Sequence, residues 1–339
     1  VNIPSDQVFA ALAALGHHTL AVFRDRRTRF APTPSGGLHF GSLVAACASF
    51  LSGKVSSGRW ILRFDDLDTQ RNAPGAVDLI LSQLESFGLC WDGEPVLQST
   101  RVQLYLARLE EWCQRGFIFA CSCSRQELDR ILVQRNAWGE RIYPGTCRGC
   151  KVAKLSAAPK GLSLRLDLRA VVRDGQPWSE FRDCVQGMQR CNLLEEWPAP
   201  VLLRADGVVS YHLANAVDDD DLGITHIVRG ADLLGVTHLH RLLEFLIDGS
   251  NPIVYGHVPI VVDPDGRKLS KSHRDQLASW SSGQQGAQGR GHMLRQALEF
   301  LGFDTGSMSW ECSEILGQAQ WALSNTKTTR PVKTDPENL

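Results

Sequence analysis

The chain has 339 residues, with 37 acidic side chains against 36 basic ones and a formal charge of −1. That length supports a large core and two or three domains. The near-neutral balance gives no global sign of nucleic-acid affinity, so any such contact must rest on local basic patches. No apolar run is long enough to span a bilayer. Val1 to Leu20 lacks the basic start and clean apolar block of a signal peptide, with His17-His18 interrupting it. The expectation is a cytoplasmic chain with no membrane partner.

In chain order, Phe9, Leu12, Leu15 and Gly16 point to a short helix ahead of the main fold. Thr28 to Leu51 then reads as a strand, a turn and a helix. Pro32 and Pro34 forbid helix through the turn, and Gly36-Gly37 allows a backbone that other residues resist. The helix is expected from about Leu38, with Leu43, Cys47, Phe50 and Leu51 on one stripe. A helix start at a strand's carboxyl end points unpaired N–H groups at an anion. His39 and Ser42, three apart, can both face that anion, and Gly41 lets a ligand approach the backbone.

Trp60 to Phe64 reads as a strand ending in Asp65-Asp66-Leu67-Asp68. Pro74 opens a helix with Val77, Ile80, Leu81 and Leu84 on one face and Gly88 as its cap. A further helix is expected from about Thr100 to Gln114, then a strand at Phe117 to Ala120. This alternation predicts an α/β fold with a parallel sheet whose ligands sit at the strands' carboxyl ends.

Ten cysteines are many for a cytosolic chain. Cys47, Cys90, Cys113, Cys184, Cys191 and Cys312 are scattered and read as small buried residues. The other four, Cys121, Cys123, Cys147 and Cys150, form a pattern of two, a long spacer and two more, which favours a tetrahedral zinc site over disulfides. Leu162 to Leu168 alternates as a half-buried strand, and Ala205-Asp206-Gly207 turns a hairpin between Val201–Arg204 and Val208–Tyr211. A helix follows from about His212, then a strand at Thr225 to Arg229 and a helix through Leu246. Asp218 to Asp221 is expected to be a solvated acidic run, and His238 and His240 to make polar contacts rather than ligate a metal. Ser281 to Gly291 reads as a linker, Met293 to Leu301 as a short helix, and the tail after Thr326 as disordered.

Val258 to Val262 reads as a strand, Asp263 to Gly266 as a turn, and Lys268-Leu-Ser-Lys271-Ser272 follows. Alone that run is an ordinary basic loop. Paired with His39-Phe40-Gly41-Ser42, it resembles the second of the two signatures of class I aminoacyl-tRNA synthetases. Arg29 to Gly36, Arg63-Phe-Asp-Asp-Leu-Asp68, Tyr211 through Asp219 and Ile227 to Leu233 narrow the likeness to the glutamyl branch. The short tail, Ser42 in place of the usual histidine, and Cys121, Cys123, Tyr143 and Cys147 resemble the shortened glutamyl-Q tRNA(Asp) synthetase family. The likeness runs from about Thr28 to Leu301.

The resemblance implies a Rossmann-type catalytic domain with an inserted zinc module, and an enzyme of the ligase class. Its divisions fall at 1–27 (extension), 28–120 and 201–272 (catalytic halves), 121–200 (insert) and 273–339 (a short helical segment and tail). It implies that glutamate attacks the α-phosphate of ATP and that glutamyl-adenylate passes to queuosine at the wobble position of tRNA(Asp); the alternatives are a truncated glutamyl-tRNA synthetase charging the 3′ end of tRNA(Glu) and a catalytically silent paralogue that only binds RNA or amino acid. His39, Ser42, Lys268 and Lys271 would be catalytic, with His39, Gly41 and Lys271 on ATP. Arg29, Phe30, Ala31, Pro32, Thr33, Asp65, Tyr211, Asn215 and Arg229 would hold L-glutamate, with Arg229 on its γ-carboxylate. The residue-level alternatives are an Arg29 paired with a neighbouring Asp and a Tyr211 that is plain core. Cys121, Cys123, Tyr143 and Cys147 would hold one structural zinc, with Cys150 a rival fourth ligand, and ATP would arrive with Mg2+. The expected assembly is a monomer that receives the anticodon loop. One departure stands out: Asp65 occupies a position where the family usually carries Glu, one methylene longer.

Overall fold

The computed structural model describes residues 3–17, 26–55, 57–131, 134–139, 141–172, 178–247, 253–262, 286–309 and 311–325. Helix α1 (Ser5–His17) leads to β1 (Arg27–Phe30), a proline-rich loop, α2 (Phe40–Lys54) and β2 (Arg59–Phe64). β1 and β2 are parallel, Arg29 opposite Ile61. α2 crosses β1 at a small residue: a Cβ on Gly53 would lie 2.3 Å from Thr28 Oγ1, so only glycine fits this crossing. α3 (Ala76–Ser86) and β3 (Val96–Leu97) follow, β3 extending the sheet parallel to β2. α3 ends as the sequence predicts, with Gly88 at φ +72°. α4 (Val102–Gln114) completes this half.

The chain then leaves the parallel sheet. β4 (Ile118–Cys121), α5 (Arg125–Ile131), β5 (Ser163–Leu166), the single turn α6 (Leu168–Val171), the hairpin β6 (Trp178–Asp183) and β7 (Gly187–Asn192), the turn α7 (Leu193–Glu196) and β8 (Val201–Leu203) come in sequence. β4, β5 and β8 form an antiparallel sheet. β4 thus belongs to the insertion, not to the parallel sheet its position after a helix predicts. β5 is covered more fully than an alternating strand requires. Arg165, on its expected outer face, is buried over the Tyr143 ring at 4.2 Å and donates to the Ala199 carbonyl at 2.9 Å.

The parallel pattern resumes with α8 (Tyr211–Asp221), β9 (His226–Gly230), α9 (Leu234–Ile247) and β10 (Val254–Val258), with β9 and β10 parallel. β9 lies beside β1, where Thr225 N donates to Arg27 O at 2.9 Å and Arg27 N to Thr225 Oγ1 at 3.0 Å. The strand expected at Val258 to Val262 lies four residues earlier, because Pro259 has no N–H to continue a ladder. The segment from Asp263 through the lysine motif, with Lys268 and Lys271, lies outside the described residues.

Two further helices, α10 (Gly286–Phe300) and α11 (Cys312–Asn325), close the described chain. α10 begins inside the stretch expected to be linker. Burial of Met293, Leu294, Ala297 and Leu298 outweighs the low helix propensity of its glycines. α1 joins the same core through Val8, Leu12 and Leu15, together with α2, α10 and α11, so the two ends of the described chain meet there. The second large core gathers Tyr105, Leu109 and Trp112 of α4 with Leu213, Val217, Leu239 and Leu243 of α8 and α9. No described helix is long and apolar enough to cross a membrane. Of the scattered cysteines, Cys47, Cys113 and Cys191 are buried and Cys184 and Cys312 partly so, but Cys90 is exposed.

Candidate active site

The carboxyl ends of β1 and β9 border a cavity of about 560 Å³. It is lined by the loop between β1 and α2, and by Asp65, Tyr211, Arg229 and Pro259 to Val261. Arg29, Phe30, Ala31, Pro32, Thr33, His39, Gly41 and Ser42 all reach it. The loop is tied in place by Asp65 N donating to the Pro32 carbonyl at 3.1 Å and Ala73 N to the Pro34 carbonyl at 2.9 Å. Leu38 N donates to Gln83 Oε1 at 2.7 Å.

His39 is the N-cap of α2, its Nδ1 accepting from Ser42 N at 3.1 Å. A ring nitrogen that accepts a backbone N–H carries no proton, so the neutral ring holds its proton on Nε2. A Cβ at Gly41 would come within 3.3 Å of Nδ1, so the glycine leaves the cap its room.

Beneath the cavity lies a charge network set by the spacing of α8. Tyr211, Asn215, Asp218 and Asp219 recur at helical intervals and turn one face of α8 inward. Asp218 and Asp219 are therefore fully buried, where the sequence predicts a solvated run. Asp219 accepts from Arg29 Nε at 3.1 Å and from Arg63 Nη1 at 2.8 Å. Arg63 also donates to Asp65 Oδ1 at 2.9 Å and Asn215 Oδ1 at 2.9 Å. Asp218 takes Arg101 Nε at 2.7 Å and the Tyr105 hydroxyl at 2.9 Å. Burial works against the Asp219 charge, but Arg29 and Arg63 hold its carboxyl below the ordinary range. Burial prevails at Asp65, raising its pKa despite Arg63 beside it.

Arg29 thus has the acidic partner that one sequence alternative named, while its side chain still reaches the cavity. Tyr211 lines the cavity and accepts from Arg229 Nη1 at 3.4 Å. Asn215 is fully buried behind the cavity, gripping Arg29, Arg63 and Asp219.

Arg229 differs from Arg29 and Arg63, the other buried arginines at this cavity. Its hydrogen-bond partners are His257, Thr237, His240, Tyr211 and the Leu233 carbonyl, all uncharged when the imidazoles are neutral. No ion pair among the described residues includes it. Arg29 and Arg63 are matched by Asp65 and Asp219, and Arg101 faces Asp218. Arg229 therefore presents a guanidinium to the cavity with its charge unmatched by direct contact, suited to a carboxylate ligand.

A second cavity of about 650 Å³ opens toward the insertion, lined by Cys123, Tyr143, Arg165, Trp197 and Arg204 among others. It shares Thr33, Asp65, Arg71 and Tyr211 with the first, so the two meet at those residues.

A family model described as tRNA synthetases class I (E and Q), catalytic domain, matches residues 26–329. The chain belongs to the class I tRNA synthetases. A glutamyl-Q tRNA(Asp) synthetase from Thiobacillus denitrificans is 40% identical over 313 residues, 91% of this chain and 97% of that protein. One from Pseudomonas putida is 44% identical over 246 residues, covering 73% of this chain and 75% of the relative. The structure of a glutamate tRNA ligase from Elizabethkingia meningosepticum with its amino acid superposes with a TM-score of 0.59 at 28% identity. That match covers 75% of this chain but 53% of the ligase, so the chain spans about half its length.

In this synthetase the thiols of Cys121, Cys123 and Cys147 lie within 4.8 Å of one another. Cys123 and Cys147 Sγ are 3.6 Å apart, close to the roughly 3.8 Å of a tetrahedral edge built on ordinary zinc–sulfur bonds. The Tyr143 hydroxyl lies 3.3 Å from Cys121 Sγ and 3.8 Å from Cys123 Sγ. Cys150 is exposed and stands outside this group. Burial disfavours the Cys147 thiolate, yet hydrogen bonds from Tyr143 and the Ser122 backbone bring its pKa down to about 7, as suits a metal ligand.

Sequence reasoning missed Arg63, Asp183, Thr237 and His257 as members of this site. Arg63 is the penultimate residue of β2, and its position two residues before Asp65 was the available signal. His257 and Asp183 carry no local signal, because the contact joining them spans 74 residues.

Proposed function

We propose that this synthetase activates L-glutamate with ATP and transfers it to queuosine at the wobble position of tRNA(Asp). The observation that carries the reading is Arg229, a buried guanidinium held by neutral groups at the cavity that also contains the N-terminus of α2. A second carboxylate on the amino acid supplies the missing counter-charge in bidentate geometry. Asp65 and Tyr211 take the amino-group end, with Phe30 to Thr33 shaping the wall. Arg29, braced by Asp219 and Asn215, supports the opposite edge. Relatives at 40–44% identity carry the glutamyl-Q name, and one is spanned over 97% of its length.

The first step is attack of the amino acid's α-carboxylate on the α-phosphate, with pyrophosphate leaving. Catalysis is positioning plus stabilisation of growing negative charge. His39 donates from Nε2, the Ser42 hydroxyl and the first N–H groups of α2 ahead of Ser42 offer further donors, and Gly41 admits the nucleotide against the backbone. The lysine motif assigns Lys268 and Lys271 the role of further cations for the triphosphate. Mg2+ carried in with ATP would supply positive charge at the phosphates when bound. Cys121, Cys123, Tyr143 and Cys147 would hold a zinc, and four protein donors would leave no position for substrate, so its role would be to brace the insertion. The second cavity, joined to the first at Asp65 and Tyr211, receives the acceptor nucleoside.

ATP–pyrophosphate exchange with tRNA supplied throughout tests the activation step. Glutamate should drive exchange, and glutamine, which lacks the second charge, should be roughly a hundredfold less efficient or worse. Equal exchange with both amino acids would refute the assignment of Arg229.

A further inference from the structure

The Arg229 guanidinium is oriented from behind by a buried relay that begins in the insertion. Asp183, at the end of β6, and His257, in β10, are both fully buried at the side chain. Asp183 Oδ2 lies 2.6 Å from His257 Nδ1, and His257 Nε2 lies 3.0 Å from Arg229 Nε. Arginine offers only donors, so Nε2 must be the acceptor, and the carboxylate then takes the proton on Nδ1. Asp183 Oδ1 is occupied separately by the backbone N–H groups of Val185 (3.0 Å), Gln186 (2.8 Å) and His257 (3.1 Å). Thr237 accepts from Arg229 Nη2 at 2.8 Å, and its hydroxyl lies 3.0 Å from the Leu233 carbonyl and 3.1 Å from His257 Nε2, so either can take its proton. On the other edge, His240 Nδ1 accepts from Arg229 at 3.4 Å.

We propose that Asp183 and His257 are positioning residues for substrate recognition. Asp183 fixes His257 as the neutral Nδ1–H tautomer, and His257 aims Arg229 at the cavity while leaving its charge for the ligand. A direct Asp–Arg pair would neutralise that charge; a neutral imidazole between the two keeps the geometry without the quenching. Burial, helped by the Arg229 charge, lowers the His257 pKa and outweighs the raising effect of Asp183, in keeping with a neutral ring. The inference rests on the reading of Arg229 as the glutamate-binding arginine.

The discriminating variant is Asp183→Asn. The three backbone N–H groups retain the amide oxygen, which turns the amide NH2 toward Nδ1 and forces the ring proton onto Nε2, against Arg229. Isotope-labelled histidine NMR reads this tautomer change, the His257 signals being assigned by their loss in His257→Gln. The expected result is Nδ1–H in the parent and Nε2–H in Asp183→Asn. The KM for glutamate should rise roughly ten- to a hundredfold, while kcat and the KM for ATP change little. His257→Gln, whose carbonyl oxygen reaches the Nε2 position, should keep a near-normal KM. His257→Asn, which reaches only Asp183, should not. If Arg229→Ala raises the KM but Asp183→Asn and His257→Asn leave it normal, the relay is overturned and the glutamate assignment stands. If Arg229→Ala itself leaves the KM normal, the glutamate assignment fails and the relay's role falls with it. A parent protein with Nε2–H or a doubly protonated His257 also overturns the relay.

Discussion

Arg63 is fully buried and pairs with both Asp65 and Asp219. Arg63→Met removes the cation and leaves two carboxylates without it in a desolvated site. The expected loss is about 3–5 kcal/mol of stability, read by urea unfolding; a loss below about 1 kcal/mol would mean the network relaxes into water. Glu244 behaves oppositely. Burial raises its pKa to about 7, against the lowering effect of the Tyr255 hydroxyl. Below the unfolded value both states are protonated and nothing is lost, whereas above about 7 the folded state carries a desolvated charge. Stability should therefore fall as pH rises from about 4.5 to about 7, by up to about 3 kcal/mol. Glu244→Gln should remove that slope while still accepting from Tyr255, and thermal unfolding across this range checks it. At this scale the sequence was half legible. Arg229 and the α2 N-cap stand in recognisable motifs, but Asp219 sat within a run of four like charges. Only the helical spacing from Asn215 assigns it inward, and that needs the partner arginines to be known.

At the scale of elements, β1, α2, β2 and α8 follow from local pattern, because their strands and helices carry their own capping and turn residues. The insertion was legible in its cysteines and in the strands β5 and β8, but not in the hairpin β6–β7. That hairpin has no strong turn signal beyond Gly187, at φ +76°, and its importance lies in one distant contact, Asp183 to His257. The proline that ends β10 was misread as part of a strand, and glycine-rich composition hid the start of α10. The thiol cluster sits where α5, β4 and the loop bearing Tyr143 converge, with Phe119, Leu128 and Ala199 packed against it. A core this small gains little from apolar burial, so metal should contribute much of its stability. Cys121→Ser, or chelation of the parent, should lower protection of β4 and α5 in hydrogen exchange and leave α2 and α10 unchanged. About one zinc per chain is expected on metal analysis of protein purified without chelator. Metal-free protein with equal protection of β4 would contradict this role.

For the molecule as a whole, the two cavities matter more than either alone. They meet at Thr33, Asp65, Arg71 and Tyr211, so an amino acid activated at Arg229, as proposed, would lie next to a space walled by the insertion. That second space carries Arg71, Arg165 and Arg204 beside Asp68, Glu196 and Asp206, with Arg204 paired to Asp68 and Asp206, together with the Trp197 ring, on a chain whose formal charge is −1. Local cations and an aromatic surface suit a splayed nucleoside in an RNA loop, and such binding weakens with salt. The most direct measurement supplies labelled glutamate and ATP with tRNA from cells that make queuosine and from cells that do not. Label should appear on queuosine-containing tRNA(Asp) alone and survive removal of the 3′ terminal adenosine. Label on tRNA(Glu) that disappears with that adenosine would contradict the account and make the acceptor an ordinary 3′ end.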